Sequence, residues 1–350
     1  MTETAVEFRN VSKRYGPTVA AVDDVSFEIE RGTLVTLLGP SGCGKTSTLR
    51  LIAGLEQATS GQIRIGGTDV THLSAAERDV SMVFQSYALF PHMTVMENVC
   101  YGLRASGINR SAAEAAAVEK LGKVGLAGFE RRLPSELSGG QQQRVAVARA
   151  IVLEPQVLLF DEPLSNLDAK LRRQVREDIR ALQQELRLTV VYVTHDQEEA
   201  LAVSDRIIVM HSARIVQDGT PRALYEQPAN AFIADFIGNA NLVPVTLVED
   251  GTVRMGQAVL RVPHRALPPG PARLAVRPNG FLLRRDAGPG DIVGRIEKSA
   301  YLGGHMEYEV TFDDVPATVL ITDSDVSTPF SPGALVSVRI QPGAAAVVPA

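Results

Sequence analysis

Several features that would point away from an ordinary intracellular enzyme are scarce or missing in this 350-residue sequence. Its two cysteines, Cys43 and Cys100, are too few for a disulfide framework, which favours a reducing compartment. The 35 Lys and Arg against 40 Asp and Glu give a net charge of −5, which argues against nucleic-acid binding through a general basic field. No apolar run approaches the roughly 18 residues of a membrane-spanning helix, and the N-terminus lacks a signal-peptide pattern. We therefore expect a soluble protein of two or three domains with no nucleic-acid partner.

The first 238 residues alternate between strand-like and helix-like patterns. Four short, mainly apolar runs are typical of strands buried on both faces of a parallel sheet. These runs are residues 33–38, 157–160, 190–193 and 206–210. Helical patterns follow the first three runs, whereas the two N-terminal strand-like segments alternate between apolar and polar residues. The sequence thus predicts an α/β fold with helices on both sides of a mostly parallel sheet and an antiparallel β flank.

Two later segments have a different pattern. Between about residues 86 and 150 the strand pattern fades and helical spacing dominates, which predicts a helical insertion. After residue 238, short alternating strands are divided by Gly and Pro and by an EDGT turn at 249–252. We predict a small all-β barrel, OB-like, or a sandwich at 239–350, following an α/β domain at 1–238.

The stretch GPSGCGKT, residues 39–46, lies between a buried-type strand and a helix, as a phosphate-binding loop requires. Its glycines let the backbone curl so that several N–H groups converge on phosphate. Lys45 is expected to reach the β- and γ-phosphates, and the hydroxyl of Thr46 to bind Mg²⁺. The predicted nucleotide-binding residues here are Gly39, Pro40, Ser41, Gly42, Cys43, Gly44, Lys45, Thr46 and Ser47.

Polar side chains end three further apolar strands. Asp161 can hold the Mg²⁺ shell opposite Thr46, and Glu162 can act as the base for a water that attacks the γ-phosphate. His195 ends the next strand and can donate a hydrogen bond to developing charge. Gln85 follows the third of these strands, and its side-chain amide can contact Mg²⁺ or water. Taken singly, the two acids could form a solvated turn, and His195 and Gln85 could be structural or loop residues.

The order of these motifs resembles a known family. Six motifs occur in the order and context that they have in ATP-binding-cassette ATPases. They are GPSGCGKT, Gln85, LSGGQ at 137–141, LLFDEP, SNLD at 165–168 and His195. The resemblance covers about the first 238 residues, and LSGGQ is its discriminating part, because other phosphate-loop proteins lack it. It implies an ATPase that uses Mg²⁺, with Lys45 and Glu162 acting with His195 in catalysis.

The resemblance also implies a second copy of the chain as partner. In this family two cassettes pair head to tail, and the LSGGQ segment of one subunit closes over the ATP of the other. The residues expected to contact the partner's ATP are Ser138, Gly139, Gly140, Gln141 and Asp168. Tyr15 matches the aromatic residue that stacks on adenine, although a lone Tyr is also an ordinary surface residue.

One cassette followed by a β domain resembles the ATPase subunit of a bacterial binding-protein-dependent importer, and the β domain resembles a TOBE domain. This implies a peripheral position on the cytoplasmic face of the inner membrane, with integral permease subunits as partners and a periplasmic or lipoprotein solute-binding protein as an indirect one. Four apolar residues after Gln85 could line a docking cleft for the permease or form the core of the insertion. They are Leu89, Phe90, Met93 and Val95.

The details resemble ferric-iron importers most, which makes Fe³⁺ the expected solute. Polyamine, phosphonate, sugar or sulfate import is the alternative, and a non-transport ATPase of the same family is a further one. Asn279, in LAVRPNG, departs from the acid of the corresponding importer motif, so the ligand-sensing role of sugar importers is not carried over. For the β domain, a regulatory role through solute recognition and a purely dimer-stabilising role are the two alternatives. His305 is interpreted as a surface histidine, because no second metal ligand has a recognisable spacing.

Overall fold

The computed structural model describes residues 3–16, 18–248, 252–262, 267–286 and 291–350. The chain forms two compact units, Met1–Pro221 and Arg222–Ala350. The division falls after the first residue of a short helix at Pro221–Glu226, within the range that the sequence predicts as the first domain. The boundary at residue 238 therefore stays a prediction.

Strands and helices alternate along the first unit, as expected. Within the described residues its strands are β1 (Thr4–Tyr15), β2 (Val19–Glu30), β3 (Leu34–Leu38), β4 (Ser60–Ile65), β5 (Thr68–Asp69), β6 (Val80–Val83), β7 (Val157–Asp161), β8 (Val190–Thr194), β9 (Arg206–His211) and β10 (Arg214–Gly219). Its helices are α1 (Lys45–Ala53), α2 (Val95–Ala105), α3 (Arg110–Lys123), α4 (Gly139–Ile151), α5 (Ala169–Leu186) and α6 (Gln197–Val203), and α7 (Pro221–Glu226) starts at its last residue.

A six-stranded sheet in the order β10-β9-β3-β8-β7-β6 forms the centre of this unit. All its neighbours pair in parallel except β10, which runs antiparallel to β9 at one edge. Strands β3 and β8 are buried along their whole length, because helices cover both faces of a parallel sheet. A second sheet, β2-β1-β4-β5, is antiparallel. The predicted α/β fold with an antiparallel flank is confirmed.

The register of the central sheet brings the predicted catalytic residues to one edge. Leu38 at the end of β3 pairs with Thr194 at the end of β8, and Asp161 at the end of β7 pairs with Val193. The next residues of the three strands therefore leave the sheet at the same level. The phosphate loop starts at one of these points, and Glu162 and His195 start the other two.

The central sheet separates two hydrophobic cores. Leu158, Phe160 and Tyr192 face the core formed with α2 to α5. Leu159 and Val191 face the opposite core, which contains α1 and the antiparallel sheet. Successive residues of one strand thus belong to different cores, because side chains alternate across a strand.

The predicted helical insertion is confirmed, since α2, α3 and α4 occupy it. Val95 is fully buried in the core of this helical region, and Leu89 packs against that core. The docking-cleft alternative is therefore wrong for Val95. Phe90 and Met93 are half-buried, and the Phe90 ring lies 4.7 Å from the ring of Tyr101.

The second unit is mainly antiparallel β-structure. After helix α8 (Ala231–Phe236) its described strands are β11 (Asn241–Leu247), β12 (Thr252–Met255), β13 (Ala258–Arg261), β14 (Gly270–Val276), β15 (Phe281–Arg284), β16 (Ile292–Tyr301), β17 (Met306–Phe312), β18 (Thr318–Asp323), β19 (Leu335–Ile340) and β20 (Ala345–Pro349). They form two five-stranded sheets, β13-β12-β11-β14-β20 and β15-β19-β16-β17-β18, whose apolar faces share one core. This confirms the all-β prediction; residues 249–251 of the predicted EDGT turn lie outside the described residues.

Candidate functional site

The phosphate loop follows β3 and ends where α1 begins. Gly44, the N-cap of α1, has φ 106°, a conformation that side chains rarely adopt. A Cβ at this position would lie 2.3 Å from the carbonyl oxygen of Ala21, so only glycine fits. The first N–H groups of a helix have no partner within the helix, and here they start directly after the loop. The loop therefore has the geometry to bind an anion at a helix N-terminus.

Lys45 is buried within this loop. Its Nζ donates hydrogen bonds to the carbonyl oxygens of Gly39, at 2.7 Å, and Pro40, at 2.9 Å, and lies 3.8 Å from the Sγ of Cys43. Only 5% of the residue is exposed. A buried ammonium that is held by carbonyl dipoles, with no carboxylate among those contacts, favours an incoming anion.

Asp161 ends β7 beside the start of α1. Burial raises the pKa of its carboxyl group, while the positive charge of Arg50 and a hydrogen bond from Thr46 act in the opposite direction. Thr46 and Asp161 therefore lie near each other, and their role as two oxygen ligands of one cation stays a prediction.

Glu162 and His195 meet at the same edge of the sheet. The Oε2 of Glu162 lies 3.1 Å from the Nδ1 of His195. Glu162 has φ 44°, which is uncommon for a residue with a side chain and recurs at functional sites. Its backbone is fixed on both sides: its N–H donates to the carbonyl of Val193 at 3.0 Å, and its carbonyl accepts from the hydroxyl of Ser165 at 3.0 Å.

Gln85 lies two residues beyond β6 and is exposed. Its carbonyl oxygen accepts a hydrogen bond of 3.0 Å from the side chain of Asn166, which ties it to the SNLD segment. Arg149 of α4 donates to the carbonyls of Tyr87, at 2.8 Å, and Ala88, at 2.7 Å. Sequence patterns do not reveal the role of this arginine, because helical spacing predicts the face on which it lies but not the loop that it reaches.

Tyr15 lies next to the phosphate loop. Its hydroxyl donates a hydrogen bond to the carboxylate of Glu56, which raises its pKa, while Ser47 acts in the opposite direction. The Nζ of Lys13 lies 5.0 Å from the centre of the ring. Because 46% of Tyr15 remains exposed, the ring offers an aromatic surface beside the loop.

The LSGGQ segment caps α4. The N–H of Ser138 donates to the side chain of Gln141 at 2.9 Å, and the N–H of Gln141 donates back to the hydroxyl of Ser138 at 3.4 Å, which is a capping box. A Cβ on Gly140 would lie 2.9 Å from a methyl group of Leu171, so α4 and α5 approach closely here. Asp168 caps α5 through the N–H of Leu171, at 2.9 Å.

The structure therefore brings the phosphate loop, Asp161, Glu162 and His195 together. The hydrogen bonds made by the side chains of Ser138 and Gln141 stay within their own segment, so in the described part of one chain they do not join the phosphate loop. His305 is partly exposed, 3.8 Å from Glu307. Across the described ranges there is no cluster of three or more His, Cys, Asp or Glu that suits a metal ion. No helix in those ranges combines the length and the apolar character that crossing a bilayer requires.

Two solved structures have a related fold. A dimeric cassette in a post-hydrolysis state, bound to ADP and Pi, superposes with a TM-score of 0.55 at 32% identity and covers 62% of this chain and 99% of that one. CbiO1 of Clostridium perfringens, part of the ABC transporter complex cbiONQ, superposes with a TM-score of 0.59 at 24% identity and covers 63% of this chain and 90% of that one. The second similarity concerns the fold alone.

Sequence relatives extend over nearly the whole chain. Residues 22–165 match the ABC transporter family and residues 274–348 match the TOBE domain. The chain is 58% identical to the Fe(3+) ions import ATP-binding protein FbpC 1 of Rhizobium meliloti (strain 1021), over 96% of both chains. It is 62% identical to the Fe(3+) ions import ATP-binding protein FbpC of Brucella abortus (strain 2308), over 87% of both chains. The chain therefore belongs to the ABC transporter family, as one of its ATP-hydrolysing subunits.

Proposed function

We propose that this chain hydrolyses ATP to energise the import of ferric iron across the bacterial inner membrane, from a peripheral position on the cytoplasmic face. The contact of 3.1 Å between Glu162 and His195, beside a phosphate loop, supports the hydrolytic part. The solute is supported by relatives that are 58% and 62% identical and carry ferric-iron import in their names. Integral permease subunits are the direct membrane partners, and a solute-binding protein outside the membrane is an indirect one.

The chemistry follows from the positions of four side chains. Lys45 and the N-terminus of α1 bind the phosphates, and Tyr15 stacks on the adenine. Glu162 accepts a proton from the attacking water, and His195 orients Glu162 and donates a hydrogen bond to the γ-phosphate. These contributions are positioning and electrostatic stabilisation, which dominate phosphoryl transfer.

Mg²⁺ fits the oxygen donors at this edge. Thr46 and Asp161, which lie near each other, would hold it with Gln85, and few protein ligands suffice because Mg²⁺ keeps waters and phosphate oxygens. When bound, Mg²⁺ neutralises charge on the β- and γ-phosphates.

Two copies are proposed to pair head to tail, with Ser138, Gly139, Gly140, Gln141 and Asp168 of one against the ATP of the other. Cross-linking tests this arrangement in the Cys43→Ser, Cys100→Ser and Glu162→Gln background. One chain carries Ser41→Cys and the other Ser138→Cys. We expect a disulfide-linked dimer only when the two chains are mixed with ATP, because position 41 of one chain then faces position 138 of the other.

A mixture of Ser41→Cys and Ser26→Cys chains is the control, since Ser26 lies on the antiparallel flank. Cross-linking within each single-variant preparation, or equal cross-linking of the control mixture, would contradict the head-to-tail pairing.

The solute is tested by uptake in cells that lack this subunit. Radiolabelled Fe(III) is run beside labelled spermidine, maltose, sulfate and aminoethylphosphonate, with complementation by the wild type or by Glu162→Gln. We expect loss of iron uptake alone, restored by the wild type and not by the variant. Intact iron uptake with loss of another solute would replace iron as the substrate, and normal uptake of every solute would argue for a non-transport ATPase.

A further inference from the structure

One arginine of α5 joins two loops of the candidate site. The Nη2 of Arg172 donates to the carbonyl of Leu167 at 3.2 Å, and its Nη1 donates to the Oδ2 of Asp196 at 3.5 Å. Leu167 belongs to the SNLD segment at 165–168, which is called the D segment from here on. Asp196 directly follows His195. A single guanidinium group thus spans the distance between the D segment and the histidine.

The backbone on both sides of His195 is held by side chains. The N–H of Asp196 donates to the hydroxyl of Thr194 at 3.0 Å, and the carboxylate of Asp196 accepts from the N–H of Glu199 at 3.0 Å. The hydroxyl of Thr194 in turn donates to the Oε2 of Glu199 at 2.8 Å. A displacement of Asp196 or Glu199 therefore changes the position of His195.

Glu199 is a buried carboxylate, with 3% of the residue exposed. The Nε of Arg172 lies 3.8 Å from its Oε1, which is too long for a hydrogen bond. Within the described residues this Nε is buried and has no hydrogen-bond partner. Because an unpaired buried N–H costs free energy, a shift of roughly 0.8 Å that closes this pair would be favoured.

A small cavity leaves room for that shift. It has a volume of about 70 Å³ and lies between Glu162, Ser165, Arg172, His195 and Glu199. The D segment on its rim is tied to the carbonyl of Gln85 by Asn166 at 3.0 Å. Because Arg172 donates a hydrogen bond to the carbonyl of Leu167 in this segment, a movement of the D segment would reach Arg172 directly.

We propose that Arg172 is a positioning residue which, with Glu199, couples the D segment to His195. When a partner subunit presses on the D segment, Arg172 moves with Leu167 and closes the gap of 3.8 Å to Glu199, which holds the imidazole of His195 in its position 3.1 Å from Glu162. The inference rests on the proposed function, because it assigns the D segment to the dimer interface and His195 to the γ-phosphate.

Arg172→Lys tests the coupling. Lysine keeps the charge but lacks the planar fork that reaches Leu167 and Asp196 together. We expect kcat for ATP hydrolysis to fall roughly 10- to 100-fold, as for a misplaced catalytic group, with KM for ATP and Tm unchanged. The control is Arg173→Met on the same helix, because the side chain of Arg173 is 77% exposed and pairs only with Glu177 in the described structure.

A second measurement follows His195 itself. In protein with isotope-labelled histidine, the ring signal of His195 among the six histidines is assigned with His195→Gln. We expect this signal to shift in Arg172→Lys and in Glu199→Gln, and to stay in place in Arg173→Met. If Arg172 had a purely structural role, Arg172→Lys would lower Tm without a selective shift of the His195 signal.

Wild-type kcat in Arg172→Lys, or a loss of kcat matched by losses in ATP binding and Tm, would overturn the coupling. These outcomes are separate from a failure of the proposed function. If the wild type hydrolyses ATP and Glu162→Gln does not, the proposed chemistry stands whatever the Arg172 variants do.

Discussion

Glu162→Gln is expected to lower the rate of ATP hydrolysis roughly 100-fold or more, because it removes a general base while keeping the shape of the side chain. The backbone of Glu162 is held in its left-handed conformation by Val193 and Ser165, and glutamine leaves both contacts in place. ATP affinity should therefore stay close to that of the wild type. Phosphate release in steady state and equilibrium binding of a fluorescent ATP analogue measure the two quantities.

The variant should also accumulate as an ATP-bound dimer, since ATP that is not hydrolysed keeps both subunits bound to it. Size-exclusion chromatography with and without ATP measures this. Glu177→Gln is the matched control, because the Glu177 side chain is exposed on α5. Hydrolysis at the wild-type rate in Glu162→Gln would remove Glu162 from the role of base.

Lys45→Met is expected to weaken ATP binding roughly 10- to 100-fold, because a hydrogen bond from a charged donor contributes about 1.5–3 kcal/mol to the free energy of binding. Methionine has a similar length, and it removes a buried charge together with its two bonds to the carbonyls of Gly39 and Pro40. The nucleotide-free protein should therefore unfold at nearly the same temperature. The rise in Tm on adding Mg-ATP, which depends on the ratio of ATP concentration to Kd, should largely disappear.

Lys120→Met is the control for this measurement. Lys120 lies on α3, outside the phosphate loop, and its side chain is also mostly buried. Its Nζ pairs with the carboxylate of Glu154 at 3.0 Å. Its thermal shift with Mg-ATP should equal that of the wild type. A full thermal shift in Lys45→Met would instead mean that the backbone of the loop binds the phosphates without the ammonium group.

Local patterns predicted the strands and the edge at which their ends meet. The apolar run at 157–160 became β7, which is buried along most of its length, and the polar residues that follow it lie at the predicted edge. This works because a strand that is covered on both faces must be apolar, and because parallel strands end on the same side. Glu162 and His195 could therefore be assigned to one site before their distance was known.

Contacts between distant segments could not be predicted in this way. Arg149 and Arg172 are helical positions like their neighbours, and only the packing of α4 and α5 decides which loops they reach. Val95 was equally compatible with a cleft and with a core, since apolar side chains serve both. Its burial follows from α2 packing against α4, which spacing alone does not determine.

Capping was the other omission, although its signal is local. Ser138 and Gln141 have the spacing of a capping box, and Asp168 stands directly before α5. Their family motifs alone predict contact with a partner's ATP. In the structure they satisfy free N–H groups at the helix starts, whereas their contact with a partner's ATP stays a prediction.

The alternation of β7 and β8 between two cores has an evolutionary consequence. Substitutions at Leu158 and Phe160 change the packing of the helical region, whereas substitutions at Leu159 and Val191 change the packing of the face that contains α1. The two sides of one sheet can therefore drift along separate histories. A lineage can repack its helical side while selection holds the opposite side, and the phosphate loop that leads into α1, nearly constant.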